Sequence, residues 1–140
     1  MAEVLIVTDS PHVFDEVRAV VEEPGVNIRW ARAGSSVVPA LQEAPADLVV
    51  SDLQVGSMGG YAVAMDIALE SSAGRLSEVP VLLLLDRRDD VFLARRVGVA
   101  GWLVKPLDPL RIAAAVRALL AGERYDDQTL ALPPDDLTPV

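Results

Sequence analysis

The feature of this sequence that most restricts its fold is a series of short, unbroken apolar runs at residues 4–7, 48–50, 79–85 and 102–104, with a weaker one at 26–30. The first four do not alternate apolar with polar residues. A strand with one face in water would alternate, so these runs describe strands buried on both faces, as in parallel sheets covered by helices on each side. Helical patterns occupy the intervals. Ser10-Pro11 joins an N-cap to a proline in the first turn, and Val13, Val17, Val20 and Val21 keep helical spacing until Pro24-Gly25 stops the element. A second helix fits residues 36–44, ended by Pro45, and a third fits 60–71. A fourth is capped by Asp89 and ends at Gly98; a fifth opens at Asp108-Pro109 with Ile112, Val116, Leu119 and Leu120 on one face and Gly122 after it. Strict alternation of five strands and five helices predicts an α/β domain, a doubly wound five-stranded parallel sheet with helices on both faces.

Composition narrows the function. The chain has 140 residues, the size of one domain, so no second folded output domain is expected. Its 21 acidic and 12 basic residues leave a net charge of -9, the wrong sign for holding a phosphate backbone, and nucleic acid is not expected as a partner. There is no cysteine, which removes disulfides and thiolate chemistry, and the single His12, read as a surface residue, cannot build a multi-histidine metal centre. Glu3 stands where a signal peptide would carry positive charge, and no apolar run is long enough for a bilayer, so a cytoplasmic protein without membrane contact is expected. Residues 123–140 hold three prolines and five acids against one arginine, which predicts a mobile tail behind a domain at 1–122.

In a parallel sheet, ligands bind beyond the carboxyl ends of the strands. Those ends carry Thr8-Asp9, Ser51-Asp52, Leu85-Asp86 and Val104-Lys105-Pro106. Asp9 and Asp52, on neighbouring strands, can reach one hard divalent cation, and Lys105 can reach across from the last strand. Lys105 is the one lysine beside eleven arginines, and its place at this edge points to a chemical need for an ammonium. Trp102 is weighed between packing and a switch role, and Arg95-Arg96 reads as a solvated helix face.

These residues resemble the receiver domains of bacterial two-component response regulators over about residues 3–122. VLIVTDS is similar to the family's first strand with its terminal acids, LVVSDLQVGSMGG to the segment bearing the phosphoryl-accepting aspartate, VPVLLLLDRRDD to strand four, and GVAGWLVKPLDP to the segment that carries the family lysine and its typically cis lysine-proline peptide. The resemblance implies a flavodoxin-like sheet of order 2-1-3-4-5. It implies Asp52 as phosphoacceptor, Lys105 pairing with a phosphoryl oxygen, and Mg²⁺ held by Asp9, Asp52 and the backbone carbonyl of Gln54. A histidine kinase or phosphorelay protein would supply the phosphoryl group, signalling would run through contact with a downstream protein, and a homodimer could form through helix 4, strand 5 and helix 5. Catalysis would not extend beyond the domain's own phosphorylation and dephosphorylation.

Two positions depart from the family. Thr8 replaces the first acid of a pair, and Leu85 replaces the Thr or Ser whose hydroxyl bonds the phosphoryl group. Asp86 follows where a small residue is usual, with Arg87 beside it; Thr8, Asp86 and Arg87 are read as modulating positions, Leu85 and Trp102 as switch positions. These departures keep open a pseudo-receiver that binds partners without phosphorylation. A flavodoxin-like cofactor binder is the remoter alternative, since TDSPHVF lacks a phosphate-cradling loop.

Overall fold

Every one of the apolar runs becomes a parallel strand in the computed structural model, which describes residues 2–56 and 58–127. The chain alternates β1 (Ala2–Val7), α1 (Pro11–Val21), β2 (Val26–Ala31), α2 (Val37–Glu43), β3 (Leu48–Asp52), α3 (Gly60–Ser72), β4 (Val81–Leu85), α4 (Val91–Val97), β5 (Gly101–Val104) and α5 (Pro109–Leu120). A short β6 (Tyr125–Asp126) follows, and the sheet order is β2-β1-β3-β4-β5-β6. The doubly wound arrangement is as the alternation of strands and helices predicts, and the flavodoxin-like order 2-1-3-4-5 is as the resemblance implies.

The absence of alternation has its cause in two cores. Leu5, Val7, Val49, Leu83, Leu85, Trp102 and Val104 face one side, against Val37, Leu41, Val63, Ile67 and Ala94 of α2, α3 and α4. Val4, Ile6, Leu48, Val50, Leu82, Leu84 and Leu103 face the other, against Val13, Phe14, Val17, Ile112, Val116 and Leu119 of α1 and α5. Successive side chains of a strand point to opposite faces, so a strand covered on both sides is apolar throughout.

Caps fix where the helices start. The Ser10 hydroxyl accepts the Val13 N–H at 3.2 Å, and the Asp108 carboxylate accepts that of Arg111 at 2.9 Å. Asp89 does not cap α4. A 3-10 turn over residues 88–90 precedes that helix, and the Asp90 carboxylate instead accepts the N–H groups of Asp86 and Arg87 at 3.2 and 3.0 Å, tying down the β4–α4 loop.

The sheet has six strands, not five, and the ordered fold continues past residue 122. Tyr125 and Asp126 pair in parallel with Gly101 and Trp102, and the Tyr125 N–H bonds to the Ala100 carbonyl at 3.0 Å. Composition concealed this segment, because its strand is two residues long and its anchor is the carboxylate of Asp127, which is buried only in the folded chain. The edge of β5, which belongs to the face named for a possible homodimer, is thus partly occupied by β6. The rest of the expected tail lies outside the described residues.

Candidate functional site

The parallel register brings the predicted strand ends together: Val7 stands opposite Ser51, Asp52 opposite Leu84, and Leu85 opposite Val104. Asp52, 3% exposed, closes β3 at the carboxyl edge. A buried carboxylate loses its hydration and needs partners. Among the described residues Asp52 has two: the Lys105 Nζ sits 2.6 Å from Oδ1, and the Thr8 hydroxyl donates to Oδ2 at 3.0 Å. Thr8 is itself fully buried, its Oγ1 accepts the Ser10 N–H at 3.0 Å, and its carbonyl accepts the Trp30 indole N–H at 2.8 Å. The hydroxyl that replaces an acid therefore orients the central carboxylate.

Lys105 also donates to Asp86 Oδ1 at 3.1 Å, so one ammonium bridges two carboxylates. Burial on its own lowers the pKa of this lysine. The hydrogen bond and charge of Asp52, then those of Asp86, outweigh that effect and hold it above the ordinary lysine value. The Lys105-Pro106 peptide is cis, as the resemblance implies. Gly60 lets α3 pack behind the site, because a Cβ there would lie 2.7 Å from the Asp52 carbonyl oxygen.

Asp9 is exposed and its Oδ2 accepts the Gly56 N–H at 3.0 Å, which links the β1–α1 and β3–α3 loops. Gln54 lies exposed on the latter loop. Counting Asp9, Asp52 and Asp86 against Lys105 leaves an excess of negative charge on hard oxygen donors, the chemistry that suits a small divalent cation. No three His, Cys, Asp or Glu side chains among the described residues gather closely enough to form a metal cluster.

A profile of the response regulator receiver domain matches residues 4–117. The chain belongs to this family. The receiver is 30% identical over 131 residues to the transcriptional regulatory protein YvrH of Bacillus subtilis, covering 91% of this chain and 53% of YvrH. It is 30% identical over 125 residues to PilH of Pseudomonas aeruginosa, covering 87% of this chain and 100% of PilH. The chain thus spans about half the length of YvrH and the whole of PilH. The structure of the chemotaxis response regulator CheY4 of Vibrio cholerae matches with a TM-score of 0.74 at 25% identity, covering 85% of this receiver and 98% of CheY4. Receiver domains are signalling modules that interact with histidine kinases or phosphotransfer proteins, and among the described residues no helix is long and apolar enough to cross a membrane.

Other predicted positions fall outside this cluster. Leu85 is fully buried in the core facing α2, α3 and α4. Arg87 is exposed, with its guanidinium 3.9 Å from Asp90. Trp102 is packed, 1% exposed, with its indole N–H unpaired among the described residues and the Arg95 guanidinium 5.6 Å over its ring. Arg95 and Arg96 are both exposed, in keeping with a solvated helix face. Sequence reading missed Thr8 as a donor, Asp90 as the loop tie, and Tyr61, whose hydroxyl donates to the Asp90 carbonyl at 2.6 Å. Burial, then the charges of Asp90 and Asp86, push the Tyr61 phenol up, keeping it a donor. The Thr8 and Tyr61 contacts join residues at least 29 positions apart in the chain, and no local pattern signals them.

Proposed function

We propose that this receiver accepts a phosphoryl group on Asp52 from a histidine kinase or phosphorelay protein and signals through protein contacts. The observation that carries this reading is the 2.6 Å pair between Lys105 and a nearly buried Asp52 at the carboxyl edge of the sheet. An oxygen of Asp52 would bond to phosphorus while the bond from phosphorus to the donor's leaving atom breaks and its electron pair departs with that group. Lys105 follows the charge from the carboxylate to a phosphoryl oxygen, and Thr8 keeps the carboxylate from rotating. Asp9, Asp52 and the Gln54 carbonyl would hold Mg²⁺. When bound, the ion supplies charge neutralisation between the carboxylate and the phosphoryl group.

One experiment tests this directly. Incubation with Mg²⁺ and acetyl phosphate should add one phosphoryl mass to the protein and none to Asp52→Asn; no adduct on the unsubstituted chain overturns the reading. A pseudo-receiver is favoured by a separate observation. Asp86 already engages Lys105, and Leu85 brings no hydroxyl to the site, so a phosphoryl group must displace one carboxylate and finds no donor on β4.

A further inference from the structure

At the end of β5, the two neighbours of Lys105 are held by side chains from elsewhere. The Lys105 N–H bonds to the Leu85 carbonyl of β4 at 2.9 Å. Alternate residues of a parallel strand bond to opposite sides, so the N–H and C=O of Val104 point away from β4, beyond the last residue that β6 pairs. There Asp127 accepts the Val104 N–H at 2.9 Å, and the Arg111 Nη1 donates to the Val104 carbonyl at 3.3 Å. Arg111 and Asp127 pair with each other at 2.5 Å, closing a ring that substitutes for a neighbouring strand. The same guanidinium bonds to the Pro106 carbonyl through Nη2 and to Asp108 through Nε at 2.8 Å. The Asp127 side chain is 0% and that of Arg111 14% exposed. Gly101 makes room for the approach, since a Cβ there would lie 2.8 Å from the Tyr125 carbonyl oxygen.

We propose that Asp127, acting through Arg111, is a positioning residue for the phosphorylation site: this ion pair clamps residues 104 and 106 and thereby sets the reach of Lys105 to Asp52. The anchor at Asp127 is then part of the site's support. A phosphoryl group is stabilised by an ammonium only where the ammonium stands, and small displacements of a positioned group cost large factors in rate. The inference rests on Asp52 as phosphoacceptor for its kinetic part only.

The test uses the full chain with Asp127→Ala, the milder Asp127→Asn, and Arg124→Ala as control. Arg124 belongs to the same segment and bonds to the Val99 carbonyl and Asp126, away from Lys105. At a temperature where all variants are folded, Asp127→Ala should form the Asp52 adduct from acetyl phosphate about ten- to a hundredfold more slowly. Asp127→Asn, which keeps an acceptor for the Val104 N–H, should fall between, and Arg124→Ala should match the unsubstituted rate. The Lys105 amide and ammonium NMR signals should move in Asp127→Ala, less in Asp127→Asn, and not in Arg124→Ala. Equal rates for Asp127→Ala and the unsubstituted chain, or equal slowing by Arg124→Ala, overturn the proposal. If the unsubstituted protein takes no phosphate, the phosphoacceptor reading fails by itself, and the NMR signals decide the clamp: moved signals support it and unmoved ones overturn it.

Discussion

Substitutions of single side chains probe the site and the core beside it. Thr8→Val keeps the shape and removes the donor to Asp52 and the acceptor for Ser10, leaving buried polar groups unpaired; urea titration should show a loss of about 1–3 kcal/mol, with most of it restored in Thr8→Ser. Leu85→Thr has a cost that sequence alone conceals. Leu85 is fully buried, so the change that would return a hydroxyl to the site also opens a cavity and buries a polar group, for a loss of about 2–4 kcal/mol. A gain in beryllofluoride-induced response measured on that variant must be read against its stability. The third concerns Lys105, whose folded pKa is raised. A raised value means that its pairing stabilises fully below the unfolded lysine pKa of about 10.4 and is lost as pH climbs through the folded value. Stability curves should therefore fall on the alkaline side of about pH 10, and Asp52→Asn should make the lysine part of that fall shallower. An identical alkaline limb in both proteins would remove the pair from the stability account.

At the scale of elements, the site depends on close approaches that only glycine permits. A Cβ at Gly60 would also meet the Leu53 Cα at 3.0 Å, in addition to the Asp52 carbonyl, and neither contact is a flexible side-chain end. Gly60→Ala must shift α3 or the end of β3, and a loss of about 1–3 kcal/mol together with a changed Asp52 environment by NMR is the expected outcome. The β4–α4 loop is held in a different manner. Asp90 collects two backbone N–H groups and receives Tyr61 on its own carbonyl, so the loop that carries Asp86 toward Lys105 is fixed to α3 as well as to α4. Tyr61→Phe should release it, seen as faster amide exchange at Asp86 and Arg87 with little change in β4.

For the whole molecule, the consequential difference is where the fold ends. Low apolar content after Gly122 predicts that removing residues 123–140 leaves the melting temperature nearly unchanged. The sixth strand and the buried Asp127 reverse that expectation: truncation after Gly122 leaves Arg111 without its buried counterion and Val104 without its acceptor. Losing those charge-assisted bonds should cost about 2–4 kcal/mol, or roughly 5–15 °C in a domain of this size, by calorimetry. An unchanged melting temperature would show that solvent replaces these partners without penalty.

Local pattern by itself determined the central strands and the helices, because burial on both faces writes itself into β3, β4, β5 and most of β1 as an apolar run, and caps such as Ser10 and Asp108 act within three residues. It also determined which residues stand at the carboxyl edge, since parallel topology carries every strand end there. What those residues touch was decided by the tertiary structure alone. Thr8 meets Asp52 across 44 positions, Lys105 is shared by Asp52 and Asp86, and Asp127 meets Val104 across 23. A polar side chain takes its role from whichever unpaired group the fold buries beside it, and that neighbour is set by packing between elements rather than by adjacent sequence.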